Sequence, residues 1–178
     1  SLDIQQALSR HVLSGGNYFV MEVSSHGIAQ SRINNIHFDV KLLTNFSHDH
    51  LDYHKTFKNY INTKKVLFDD LPKSSYSIIN SDDKRSDYLI QNTKSKVFLY
   101  GLNTLSDYKG KIIESGTDGI MINIDNTNVS FKIIGDFNAY NLLSVYAVAK
   151  ILKIESEIIF ERLSQLNTPD GRMDFIQG

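Results

Sequence analysis

Short apolar runs alternate with amphipathic stretches along the chain, regularly enough to lay out its elements. A helical pattern that Asp3 can cap runs to about Leu13, where Gly15-Gly16 close it. The run Tyr18-Phe19-Val20-Met21-Glu22-Val23 then reads as a buried strand of a parallel sheet, with a single acid inside it. A short helical or irregular piece covers His26 to Ile33, and a second strand covers Asp39 to Thr44. Beyond it the pattern predicts a helix over Thr56–Asp70, a strand over Tyr76–Asn80, a helix over Asp82–Gln91 and a strand over Lys96–Tyr100. This repeated order predicts an α/β fold, a doubly wound, mostly parallel sheet flanked by helices.

The pattern changes between Tyr108 and Ile134. Thr117-Asp118-Gly119 and Asp125-Asn126 punctuate β-rich runs at Gly119–Ile124 and Val129–Ile134, which predicts a small antiparallel meander. Two helices follow, at about Asn138–Leu152 and Glu155–Gln165. Ser1 stands almost at a helix cap and Phe175-Ile176 reads like the start of another element, so the segment reads as an excised domain.

Composition narrows the setting. With 178 residues, 41% of them hydrophobic, the chain can bury one sizeable core, and one domain is expected. A formal net charge of −1 gives no reason to expect nucleic acid or an acidic membrane as partner. The absence of cysteine excludes disulfides and thiolate metal sites, and suits a reducing, cytoplasmic compartment. No apolar run approaches the ~20 residues of a membrane span.

Candidate chemistry gathers in two places. A lone carboxylate such as Glu22 is costly to bury in an apolar strand unless it is paired with a cation or bound to a metal. After the second strand, His48, Asp49, His50, Asp52 and His54 crowd into a few residues. Both stretches would lie beyond the carboxyl ends of parallel strands, where open α/β sheets bind ligands. The expectation is a metal or phosphate site. Imidazole and carboxylate together suit zinc, manganese or iron better than magnesium, while His48 and His50 flanking Asp49 also suit a capping turn. Within the helix over Thr56–Asp70, Tyr60, Lys64, Leu67, Phe68 and Leu71 share an inward stripe. Lys65, turned ~100° from its neighbour, is expected to be a solvated surface lysine. An inward Lys64 could pair with an acid, contact a phosphate, or form a carbamate that ligates a hard cation. Ser24-Ser25 reads as a turn and helix cap, and His11, His26, His37 and His54 as structural or surface residues.

Several motifs in order carry a resemblance. MEVSSHG (21–27) with Gln30 and Arg32, TNFSHDHLDYH (44–54), Tyr60-x-x-x-Lys64, GDFNAYNLL (135–143) and GRMD (171–174) together resemble the Mur ligases. The branch most similar adds a diamino acid to a UDP-N-acetylmuramoyl dipeptide. The resemblance implies a central ATP-binding domain over 1–178, lacking an upstream phosphate-binding loop, the N-terminal UDP-binding domain and the C-terminal amino-acid-binding domain. It implies a bacterial, monomeric parent enzyme, and a fragment that is inactive alone and prone to self-association. The implied reaction is ATP-driven amide formation through an acyl phosphate, with two magnesium ions. The substrates would be ATP, the UDP-N-acetylmuramoyl dipeptide and either meso-diaminopimelate or lysine. The resemblance assigns Glu22 and His50 to magnesium, and Lys64 as a carbamate to the second ion. It assigns Ser24, Gln30 and Arg32 to the muramoyl substrate, and Asn138, Asn141 and Arg172 to the nucleotide. Alternatives are another amide ligase of the same superfamily, such as folylpolyglutamate synthetase, a metal-dependent phosphohydrolase, or a non-catalytic scaffold.

Overall fold

The computed structural model describes residues 2–46 and 51–167. Its helices are α1 (Leu2–Leu13), α2 (Ser25–Ala29), α3 (Leu51–His54), α4 (Phe57–Asp69), α5 (Ser86–Ile90), α6 (Phe137–Ile151) and α7 (Ser156–Ser164). Its strands are β1 (Val40–Leu43), β2 (Tyr76–Asn80), β3 (Lys96–Gly101), β4 (Tyr108–Gly116), β5 (Gly119–Ile124) and β6 (Thr127–Phe131). They form one sheet in the order β1-β2-β3-β4-β5-β6. The first three pairings are parallel, while β4-β5 and β5-β6 are antiparallel. The Asp125-Asn126 turn takes φ of 49° and 63° at its two residues, the left-handed geometry a tight hairpin demands.

Alternation along the strands divides the core between the two faces of the sheet. Ile78 and Tyr100 face a cluster built on α6 and α7 with Ile122, Phe131, Leu143 and Tyr146. Ile79, with Leu99 beside it, faces a second cluster with Tyr60, Phe68, Leu71 and Leu89 from α4, α5 and their loops. Both faces are covered, as a parallel sheet requires. The mixed sheet with helices on its faces is the expected fold class.

The expectations for individual elements fare unevenly. Gly15, at φ +79°, closes α1 as expected, its N–H bonded to the Val12 carbonyl at 2.9 Å. Asp3 lies in the first turn of that helix. The stretch from Tyr18 to Val23, expected as a buried strand, belongs to none of the described strands, and Val20 is 94% exposed. Apolar sequence makes a strand only where another strand offers its edge and a helix its cover, and among the described residues β1 pairs with β2 alone. Glu22 is therefore exposed, and no desolvation is offset there.

The helix expected from Asp82 begins only at Ser86. Asp83 Oδ1 instead accepts the Arg85 N–H at 3.0 Å, a local side-chain bond that competes with helix. Lys65, expected in solvent, is 7% exposed and donates to Asp69 Oδ1 at 2.8 Å, with its ammonium 5.3 Å from the centroid of the Tyr88 ring. Docking of α5 on α4 closes water off from that side.

Exposed Val20 and buried Ile79 should respond oppositely to substitution. Val20→Ser is expected to change unfolding free energy by less than about 0.5 kcal/mol. Ile79→Ala should cost about 2–5 kcal/mol by leaving a cavity between sheet and helix. Urea unfolding followed by circular dichroism reads both, and a large loss at Val20 would mean that the apolar run is covered.

Candidate functional site

The carboxyl ends of β1, β2 and β3 point to one edge of the sheet, and a cleft of about 670 Å³ opens there against the start of α6. Its lining draws on five segments: Glu22 to Ser25, Thr44-Asn45 after β1, Tyr60 and Lys64 on α4, Asn80, Asp82 and Asp83 at the end of β2, and Phe137, Tyr140 and Asn141 on α6. Glu22, Ser24, Lys64 and Asn141, distant in sequence and all singled out from it, thus meet at one cleft. Asn138 stands beside them, its Oδ1 accepting from Asn141 Nδ2 at 2.9 Å. Gln30 and Arg32 are exposed beyond α2 and do not line the cleft. His48, Asp49, His50 and Arg172 lie outside the described residues.

Each cleft side chain is set by local structure. Ser24 caps α2, its Oγ accepting the Gly27 N–H at 3.1 Å, which leaves the hydroxyl proton free to be donated. Ser25, to which the sequence suggested no chemistry, is 1% exposed at the cleft wall, and its Oγ has no hydrogen-bond partner. On α4, capped by Thr56, the inward stripe carries Lys64 over the rings of Phe46 and Tyr60, 5.5 and 5.1 Å from their centroids. Two aromatic faces and the Asn45 carbonyl at 3.5 Å thus hold the Lys64 ammonium at the cleft.

The rim after β2 is the part that sequence reasoning missed. The sequence pattern puts Asp82 at a helix start. Its Oδ2 accepts the N–H groups of Leu102 at 2.7 Å and Asn103 at 3.0 Å, the Asn103 amide at 3.2 Å and the Tyr140 hydroxyl at 2.9 Å. Its Oδ1 accepts the Thr104 N–H and Oγ1, each at 2.7 Å. Burial alone would raise the Asp82 pKa, but the Thr104 hydroxyl and the Thr104, Asn103 and Leu102 N–H groups outweigh it and hold it well below the usual carboxylate range. Tyr140, partly buried and donating to that carboxylate, is pushed up to about 12. Asp83 is also committed, to the Phe46 N–H at 3.3 Å and to Arg85. Asn80 bridges to the Thr44 carbonyl at 3.0 Å and takes the Asp82 N–H at 3.0 Å. The signal in the sequence was Asn80-Ser81-Asp82-Asp83 itself, four turn-forming polar residues directly after a strand.

A two-faced α/β sheet with a polar cleft at its carboxyl edge defines a ligand-binding domain of the parallel-sheet class. Comparison with known proteins takes the assignment further. Residues 1–149 match the family model described as the Mur ligase middle domain. The chain belongs to that family. It is 44% identical over 174 residues to the UDP-N-acetylmuramoyl-L-alanyl-D-glutamate--2,6-diaminopimelate ligase of Cytophaga hutchinsonii, covering 98% of this chain and 36% of that protein. It is 44% identical over 176 residues to the ligase of the same name from Bacteroides fragilis, with 99% and 36% covered. The chain thus spans little more than a third of the length of these curated relatives. Among solved structures, MurF from Acinetobacter baumannii shares the fold at a TM-score of 0.70 and 19% identity, over 79% of this chain and 32% of that one. A pseudomurein peptide ligase type C from Methanothermus fervidus does so at 0.66 and 21%, over 85% and 38%.

The depressed Asp82 pKa has a readable sign. A carboxylate stabilised in the folded state contributes stability that is full above its unfolded pKa and is lost as pH falls toward the folded one. Wild type should therefore exceed Asp82→Asn in stability by a constant margin from pH 7 down to about 5, a margin that shrinks below about pH 4. Urea midpoints across that range test this, and a margin independent of pH would exclude the ionised carboxylate as its source.

Proposed function

We propose that this chain is the central segment of an ATP-dependent ligase joining 2,6-diaminopimelate to UDP-N-acetylmuramoyl-L-alanyl-D-glutamate in peptidoglycan synthesis. The observation that carries the reading is the convergence of Glu22, Ser24, Lys64 and Asn141 on one cleft in a Mur ligase middle domain. The relatives named for this reaction match nearly the whole chain. In the reaction, ATP transfers its terminal phosphoryl group to the acceptor carboxylate, giving an acyl phosphate and ADP. The diaminopimelate amine attacks the acyl carbon, and the tetrahedral intermediate expels phosphate as the amide forms.

The protein's task in such a transfer is positioning and charge neutralisation. Phe46 and Tyr60 hold the end of Lys64 at the cleft, beside the other residues proposed to meet substrate. The Ser24 hydroxyl donates to the muramoyl substrate, and Gln30 and Arg32 reach it from outside the cleft, Arg32 with a forked donor suited to a carboxylate or phosphate. Asn138 and Asn141 face the nucleotide from α6, with Arg172 as a further nucleotide contact.

The donor set also fits magnesium. Asp82 and Asp83 are committed to N–H and O–H donors, so Glu22 is the lining carboxylate whose oxygens stay available to a hard cation. His50 is its proposed partner, and Lys64 would join them as a carbamate. Magnesium held there would supply charge neutralisation at phosphate and carboxylate oxygens.

The test follows phosphate release from ATP by the full-length enzyme containing this segment, with the UDP-muramoyl dipeptide and either diaminopimelate or lysine. Turnover is expected with diaminopimelate. Glu22→Gln and Lys64→Ala should each lower kcat by roughly a hundredfold or more, and small carboxylic acids should partly rescue the second. Turnover with lysine alone would reassign the amine substrate, and none with either would sink the ligase reading.

A further inference from the structure

We propose that Asp82 is a positioning residue for the nucleotide, acting through Tyr140 to set the rotation of α6 and so the aim of Asn138 and Asn141. The inference rests on the nucleotide-facing role proposed for those two asparagines. Three observations carry it.

The first is that the amino end of α6 has little hold of its own. Gly135 turns into it at φ +93°, and Asp136 occupies the N-cap without a side-chain cap bond. The inward side of the helix is anchored by Ala139, Leu142, Leu143 and Tyr146 against the sheet, which fixes its depth better than its rotation at the first turn. Lateral polar contacts must do the rest. Asn138 Nδ2 donates to the Ile134 carbonyl at 2.7 Å, and the Tyr140 hydroxyl donates to Asp82 at 2.9 Å and accepts from the Asn103 amide at 3.1 Å.

Helical geometry then transmits the constraint. Neighbouring positions are ~100° apart about the axis, so fixing Tyr140 fixes Asn141. Asn138 and Asn141, three apart, share a face and are joined at 2.9 Å. Tyr140 also stands between two openings, lining both the 670 Å³ cleft and a neighbouring hollow of about 330 Å³ with Leu102, Asn103, Lys111, Ile112 and Asp136. A small rotation of this helix would close one and widen the other.

Asp82, finally, is itself immobile. Both oxygens are saturated by the loop after β3, and the backbone leaves room for it at Gly101. A Cβ there would come within 2.6 Å of Ser81 Oγ and 3.1 Å of Asp82 Oδ1. The carboxylate is thus a fixed point on the sheet against which α6 is indexed.

Tyr140→Phe keeps the ring and removes the one donor, and Asp82→Asn takes the charge from its acceptor without touching α6. In the full-length enzyme each should raise the KM for ATP about tenfold, the loss of one hydrogen bond to a charged group, with kcat and the KM for the muramoyl dipeptide changed less than about twofold. ADP affinity by calorimetry should weaken by the same factor. Unchanged KM for ATP in folded Tyr140→Phe would overturn the proposal, as would equal losses in kcat and both KM values. If wild type shows no ligase turnover, the functional reading falls, yet the ratio of ADP affinities still decides the role of Asp82. Wild type that binds no ADP would overturn both.

Discussion

Parallel strands that stop at a common edge leave backbone donors and acceptors there with no ladder to join, and those groups must be satisfied at a cost of about 1–3 kcal/mol for each one left over. Here the Tyr100 hydroxyl reaches the Leu43 and Thr44 carbonyls, at 3.0 and 3.3 Å. Ser81 returns its N–H and Oγ to the Tyr100 carbonyl. Ser86 closes on the Asn80 carbonyl, and Asp82 collects the three N–H groups that follow β3. The polar rim of the cleft is thus first a solution to strand endings. Its use as a binding surface follows because the side chains that finish this accounting are already fixed before any ligand arrives.

Packing decides which of the remaining polar groups stay available. The α4 face of the sheet is shared with α5, whose Tyr88 ring covers one lysine of an adjacent pair where it pairs with Asp69 of its own helix, and the other lysine stays at the cleft. On the opposite face, α6 buries one side against the strands and presents amides with the other. Among the described residues three carboxylates border the cleft, yet Asp82 and Asp83 are occupied in holding loops. Glu22 is the one free to meet a ligand, a distinction of geometry that identical side-chain chemistry conceals.

The sheet and most helices were legible because their signals are local. Tyr76–Asn80 carries a compact apolar run, Asp125-Asn126 a hairpin turn, and Gly15 a left-handed stop, each readable from a few residues. Two of the failures depend on distant partners. Whether Tyr18–Val23 is a strand turns on an edge it could join, and whether Lys65 is solvated turns on where α5 docks. Of the candidate site, Glu22, Ser24, Lys64 and Asn141 were found through motifs, whereas Asp82 was hidden in an apparent helix start. Its importance arises from donors 20 to 58 residues further along the chain.

The pair Lys64-Lys65 has a practical side. Both lie in one short peptide and share the same chemistry, but one amine opens to the cleft while the other is enclosed and paired. An amine-reactive probe applied to the folded protein therefore carries its own reference. Modification at the first position reports on what occupies the cleft, and modification at the second reports on loosening of the α4–α5 contact, so occupancy and unfolding separate once cleavage between the two lysines locates the label.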